Sequence, residues 1–141
     1  MTIPRPIVKA VLRRDPFCSI GSRLCTHTST VADHRANGGA GGSKVLCDIR
    51  NLVGACQLCN GWKETVDAET RALLVADGLR VEQASTNQKT LERAIQTPVF
   101  YQREQAWFRL CADGTRTQLG DAEANELRAL AGLISGEGYA Y

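Results

Sequence analysis

Residues 56–63 read Cys-Gln-Leu-Cys-Asn-Gly-Trp-Lys, and the organisation of the chain turns on them. Cys56, Cys59, Asn60 and Lys63 fall at i, i+3, i+4 and i+7, so a helix places all four on one face. A helix over Cys56 to about Val66 can then grip a metal at its start and present an amide and an ammonium further along. Working upstream, Cys18-Ser-Ile-Gly-Ser-Arg-Leu-Cys25 is a looser, second pair of cysteines. Four thiolates from the two pairs close a tetrahedral zinc site with no open position, which makes it structural. Such a staple serves a segment too small to build a core of its own. His27 and Cys47 are rival ligands without the paired spacing. Cys111 lies far off and reads as a buried thiol.

Between the pairs lie two short strand candidates, Thr26 to His34 and Val45 to Leu52, joined by Asn37-Gly-Gly-Ala-Gly-Gly-Ser43. Four glycines in those seven residues make a loop. The first strand carries Asp33-His34 and the second ends on Asn51-Leu52. A divalent ion at a scissile phosphate takes hard oxygen ligands. Asp33 offers a carboxylate and Asn60 an amide carbonyl, leaving positions for water and phosphate oxygens. His34 is suited to taking a proton from attacking water near neutral pH. Strand alternation points adjacent Asp33 and His34 to opposite faces, so both serve one site only if the strand bends or ends there.

Residues 12–64 resemble the HNH, or ββα-metal, endonucleases, particularly the small zinc-containing type carried by bacteriophages. The resemblance rests on Arg14-Asp15, Asp33-His34, Asn51-Leu52 and Cys56-x2-Cys59-Asn60-x2-Lys63. It implies that His34 is the general base, that Asp33 and Asn60 bind the catalytic ion (Mg²⁺, Mn²⁺ or similar), and that Asn51 braces the loop orienting His34. The chain is then the His-Asn-Asn variant. The long first knuckle, Cys18 to Cys25, departs from the family pattern. Arg35 and Lys63 are candidates for contact with DNA phosphates. By the same resemblance the chain is phage-encoded, works in the bacterial host cytoplasm, and has terminase subunits as candidate partners.

The remaining sequence is consistent with that reading. Of 141 residues, 43% are hydrophobic and 23% charged, an ordinary globular balance. No apolar run approaches membrane-spanning length. The N-terminus has no apolar signal region, which points to a reducing, cytoplasmic setting. The net charge of +2 divides unevenly: residues 1–66 hold nine Lys/Arg and four Asp/Glu, whereas 67–141 hold eight and eleven. The basic half is the half with the cysteine pairs, as suits a surface facing a polyanion.

The fold class expected is α+β: a small ββα-metal unit with structural zinc over residues 1–66, extended over 67–141 by a helix, a β-hairpin and a helix that pack on it. In detail, helices are expected at Arg5–Arg14 and about Ala68–Ala76, with one or two turns near Thr90–Gln96. A hairpin is expected from Val99–Leu110 and Thr115–Leu119, packed by Tyr101, Trp107 and Phe108. Asp121 should cap a last helix running to Ile134 with Leu127 and Leu130 on its inner stripe, before a frayed end at Ser135–Tyr141. Two functions fit: hydrolysis of DNA phosphodiester bonds, or a zinc-stapled DNA-binding module without catalysis. A mere binder has no need of Asp33, His34 and Asn60 together.

Overall fold

The computed structural model describes residues 2–38 and 43–133. Gly39–Gly42 of the glycine loop, Ile134 and the end expected to fray at 135–141 lie outside the described residues.

The first helix, α1, spans Arg5–Arg14. Pro4 and Pro6 suit its start, where the first N–H groups lack partners in any case. It ends at Asp15, ahead of Pro16, as the sequence predicts. Strand β1 is shorter than expected, Val31–His34 rather than Thr26–His34. His27 adopts a left-handed conformation, φ 73°, which no strand admits. Residues around it instead close the cysteine knuckle, with only Thr28 bridging to Phe17.

The second strand is displaced. Residues 45–51 form two tight 3-10 turns, Val45–Cys47 and Ile49–Asn51, and β2 runs Leu52–Ala55. The side chain of Asp48 accepts a hydrogen bond from Arg50 N and starts the second turn, a local bond that outcompetes the strand. Pairing is antiparallel, from Val31 opposite Ala55 to His34 opposite Leu52. Helix α2, Gln57–Lys63, follows at once, with Cys56 at its N-cap accepting from Cys59 N.

Helix α3 spans Ala68–Ala76, capped by Asp67. Helix α4 is longer than the sequence suggests, Asn87–Gln96, because Thr86 caps it by accepting from Lys89 N. The expected hairpin is a three-stranded meander: β3 (Val99–Tyr101), β4 (Ala106–Leu110) and β5 (Arg116–Leu119). A turn over residues 102–105, with Gln105 at φ 52°, divides what read as one strand. In the last helix, α5 (Asp121–Leu130), Asp121 lies inside the first turn and Gly120 is the cap. Leu130 is 73% exposed, so the inner stripe does not extend to it.

One core joins the two halves. Ile20, Val53, Ala55, Cys56 and Cys59 from the first half pack with Leu74, Leu79, Val99, Tyr101, Phe108 and Leu110 from the second. Polar ties reinforce it. Tyr101 donates to Asp15 Oδ1 at 2.8 Å, and the other oxygen of Asp15 accepts from Gly54 N at 3.0 Å. Arg14 grips the same carboxylate and donates to the carbonyls of Ile49 and Leu52. The Arg14-Asp15 pair is thus a buried joint between α1, β2 and the meander.

Candidate functional site

The sulfurs of Cys18, Cys25, Cys56 and Cys59 lie within 4.8 Å of one another. Tetrahedral zinc at about 2.3 Å from each sulfur sets them roughly 3.8 Å apart, so a small contraction closes the site. Backbone N–H groups already point at the sulfurs: Ser22 N to Cys59 (3.3 Å), Thr26 N to Cys56 (3.5 Å) and His27 N to Cys25 (3.3 Å). Such donors favour thiolate. Burial opposes ionisation of Cys56, yet bonds from Thr26 and Cys59 override it and bring the thiol down to about 6. Burial drives Cys59 up to about 12. A cation at the centre would resolve that crowding of thiols. The four residues can therefore hold a metal ion such as zinc. Neither rival ligand joins them: Cys47 faces His34 instead. Cys111 is half-buried, not buried, and bonds to Thr117 Oγ1 on the meander.

Beside this cluster, β1 carries Asp33 and His34 to its end. Asp33 is 4% exposed, and its Oδ2 lies 2.7 Å from Lys63 Nζ on α2. Lys63 also donates to the His34 carbonyl at 2.8 Å. Burial raises the Asp33 carboxyl, with the Lys63 charge pulling the other way. His34 is half-buried. Its Nε2 lies 3.7 Å from Cys47 Sγ, and its Nδ1 makes no hydrogen bond among the described residues. Burial and the nearby Lys63 charge lower its pKa from the ordinary 6.5, which favours the neutral ring. The two neighbours thus take different partners, as strand alternation demands.

Asn51 is fully buried and ties the ends of the loop together. Its Oδ1 accepts from Ala36 N (2.9 Å), while Nδ2 donates to the carbonyls of Ala36 (3.0 Å) and Leu46 (2.8 Å). Asn60, one turn before Lys63 on α2, is half-buried. Its backbone N–H bonds to Cys56 O, and its side-chain amide makes no hydrogen bond among the described residues.

No known protein family, curated protein or solved structure matches this chain.

Two sequence assignments need correction. Arg35 does not face DNA: it is 1% exposed and donates to four carbonyls, those of Gly78 (2.7 Å), Arg50 (2.9 Å), Ala94 (2.9 Å) and Thr97 (2.6 Å). Burial brings it down to about 9, which leaves it charged at neutral pH. Lys63 is likewise buried, 1% exposed, and its ammonium is committed to Asp33 and the His34 carbonyl. Neither side chain reaches a phosphate without leaving the core.

Asp33 and Asn60 are left as the candidate ligands for a hard divalent cation, with one restriction. Asp33 Oδ1 and the Asn60 amide have no hydrogen-bond partner among the described residues, and carboxylate and amide oxygens suit Mg²⁺ or Mn²⁺. Lys63, however, already neutralises the same carboxylate. A cation there meets an ammonium on its own ligand.

Sequence reasoning passed over Cys47 at this site, having weighed it only as a zinc ligand. No spacing signal links it to His34, because a tight turn brings them together.

Proposed function

We propose that the chain is a metal-dependent endonuclease that hydrolyses DNA phosphodiester bonds, built on an HNH-type ββα unit. One observation carries the reading. His34, half-buried, with its pKa lowered by burial and with Nδ1 unpartnered among the described residues, ends β1, and the four-cysteine cluster joins the segments on either side of that strand. A neutral imidazole with a free ring nitrogen is the form that accepts a proton from water as it attacks phosphorus.

Asp33, through Oδ1, and Asn60 would hold the ion, which supplies positive charge at the phosphate when bound. Lys63 holds the backbone carbonyl of His34 and so fixes the end of the strand. Asn51 fixes the loop on either side of it. The half-buried setting of His34 limits competing water. The basic first half of the chain supports a polyanionic substrate. On the same reading, the protein works beside the DNA-packaging terminase of a phage.

The test is supercoiled plasmid with Mg²⁺ or Mn²⁺. Wild-type protein should convert it to nicked or linear forms, and His34→Ala should lower the rate by on the order of 10²–10⁴. Intact plasmid with both proteins sinks the catalytic reading. A second reading, a zinc-stapled DNA-binding module without catalysis, draws support from the buried Lys63–Asp33 pair, which already neutralises the only proposed carboxylate ligand. Plasmid retardation without cleavage in the same assay selects it.

A further inference from the structure

Cys47 sits in the first 3-10 turn with its side chain buried. Among the described residues its sulfur has two polar neighbours: the Ser43 carbonyl oxygen at 3.5 Å and His34 Nε2 at 3.7 Å. A thiol has one hydrogen, and a carbonyl oxygen has none to offer. The Ser43 carbonyl can be satisfied only by the S–H, whereas the imidazole can offer a proton of its own. What the sulfur then presents to the imidazole is a lone pair, which attracts a ring nitrogen only if that nitrogen bears a proton.

We propose that Cys47 is a positioning residue that sets the tautomer of His34, holding the proton on Nε2 and leaving the lone pair on Nδ1. The inference rests on His34 acting as the base, and adds which nitrogen acts and what fixes it. The orientation of a ring nitrogen is ordinarily set by the hydrogen bond its opposite nitrogen makes. Here that partner is a side chain held from both directions. Asn51 Nδ2 binds the carbonyl of Leu46, the residue before Cys47, and Asn51 also binds both polar backbone atoms of Ala36, two residues after His34. One buried amide thus fixes the relative position of thiol and imidazole. Cys47 N closes the turn on Lys44 O at 3.1 Å, and α4 packs against it. The sulfur has little freedom to turn elsewhere.

The chain has two histidines, His27 and His34, so ¹⁵N-histidine labelling of the full chain gives two ring spectra. His27→Asn assigns them, since asparagine tolerates the left-handed backbone at that position. The proposal expects His34 to show a single neutral tautomer, protonated at Nε2, with that proton protected from exchange with water. Cys47→Ala should expose the proton to exchange and lower kcat on plasmid about 10- to 100-fold, by analogy with the loss of outer-shell partners of metal-ligating histidines, with KM little changed. Cys47→Ser should restore protection and much of the rate, because a hydroxyl can donate to Ser43 and accept from Nε2–H together.

A wild-type ring protonated at Nδ1 overturns the proposal, as does a His34 spectrum that Cys47→Ala leaves unchanged. Should Cys47→Ala not fold, the wild-type tautomer and the serine variant still decide. An exchange-labile Nε2 proton in a folded serine variant with reduced kcat also counts against it. The ring spectrum needs no cleavage. A wild type that leaves plasmid intact removes the nuclease reading alone, while the tautomer still judges Cys47.

Discussion

The chemistry proposed for His34 depends on a ring that stays neutral. Burial first, and the Lys63 charge second, lower its pKa from the ordinary 6.5. A lowered value means the base form persists further into acid. On the proposed mechanism, kcat/KM should fall in acid with a midpoint below pH 6.5, as pH drops through the lowered pKa. A limb centred above 6.5 would assign the base elsewhere. The same sign governs stability: the neutral ring's contribution is present above 6.5 and is lost as acid protonates His34 in the fold. Lys63 poses a separate question. Removing one partner of a buried ion pair strands the other charge, which costs about 3–5 kcal/mol. Lys63→Met should therefore melt well below wild type. If a divalent ion competes with the ammonium for Asp33, Mg²⁺ should raise the melting temperature of Lys63→Met more than that of wild type. Equal shifts would argue against an ion at Asp33.

At the scale of elements, the four-cysteine cluster connects the knuckle of residues 18–25 to the start of α2. A seven-residue helix is too short to persist alone. Its stability comes from the Cys56 cap, from the cluster, and from Trp62 packed against the shared core. Removal of the metal by a strong chelator should unfold this region and shift tryptophan emission to the red, and elemental analysis should find about one zinc per chain. An unchanged spectrum after chelation would mean that the cluster is not a metal staple. Two helices were legible in sequence: α1 and α3 lie where expected. The displaced strand was not. Residues 45–51 are rich enough in Val, Leu and Ile to resemble a strand, but the Asp48 side chain turns the backbone first.

The whole molecule does not divide where its charge does. Arg35 belongs to the basic half, yet three of its four carbonyl partners, Gly78, Ala94 and Thr97, lie in the other. Gly78 is itself constrained, with φ +72° and a Cβ that would fall 1.9 Å from Pro98 O. Val81 N returns the contact by binding Arg35 O at 2.9 Å. Residues 1–66 expressed alone would leave this guanidinium with one of its four acceptors, the Arg50 carbonyl, and Asp15 without Tyr101. That fragment should lack a cooperative melt and dispersed amide resonances even with saturating zinc. A well-folded fragment would show instead that the second half only shields the first.

The sequence by itself determined the groups that act through local spacing. Cysteines at i and i+3 share a helix face whatever surrounds them, and a proline or a capping aspartate acts within one turn. The resemblance read from the sequence groups Asp33, His34, Asn51 and Asn60, the set on which the proposed function rests. Tertiary structure alone decided what each charged side chain meets. Arg35 and Lys63 look like surface cations in sequence, because charge is visible there and burial is not. Burial depends on which backbone carbonyls and which carboxylate the fold brings within about 3 Å, and those come from residues up to 62 positions away. The same holds for Cys47, whose contact with His34 exists only because a tight turn replaced a strand.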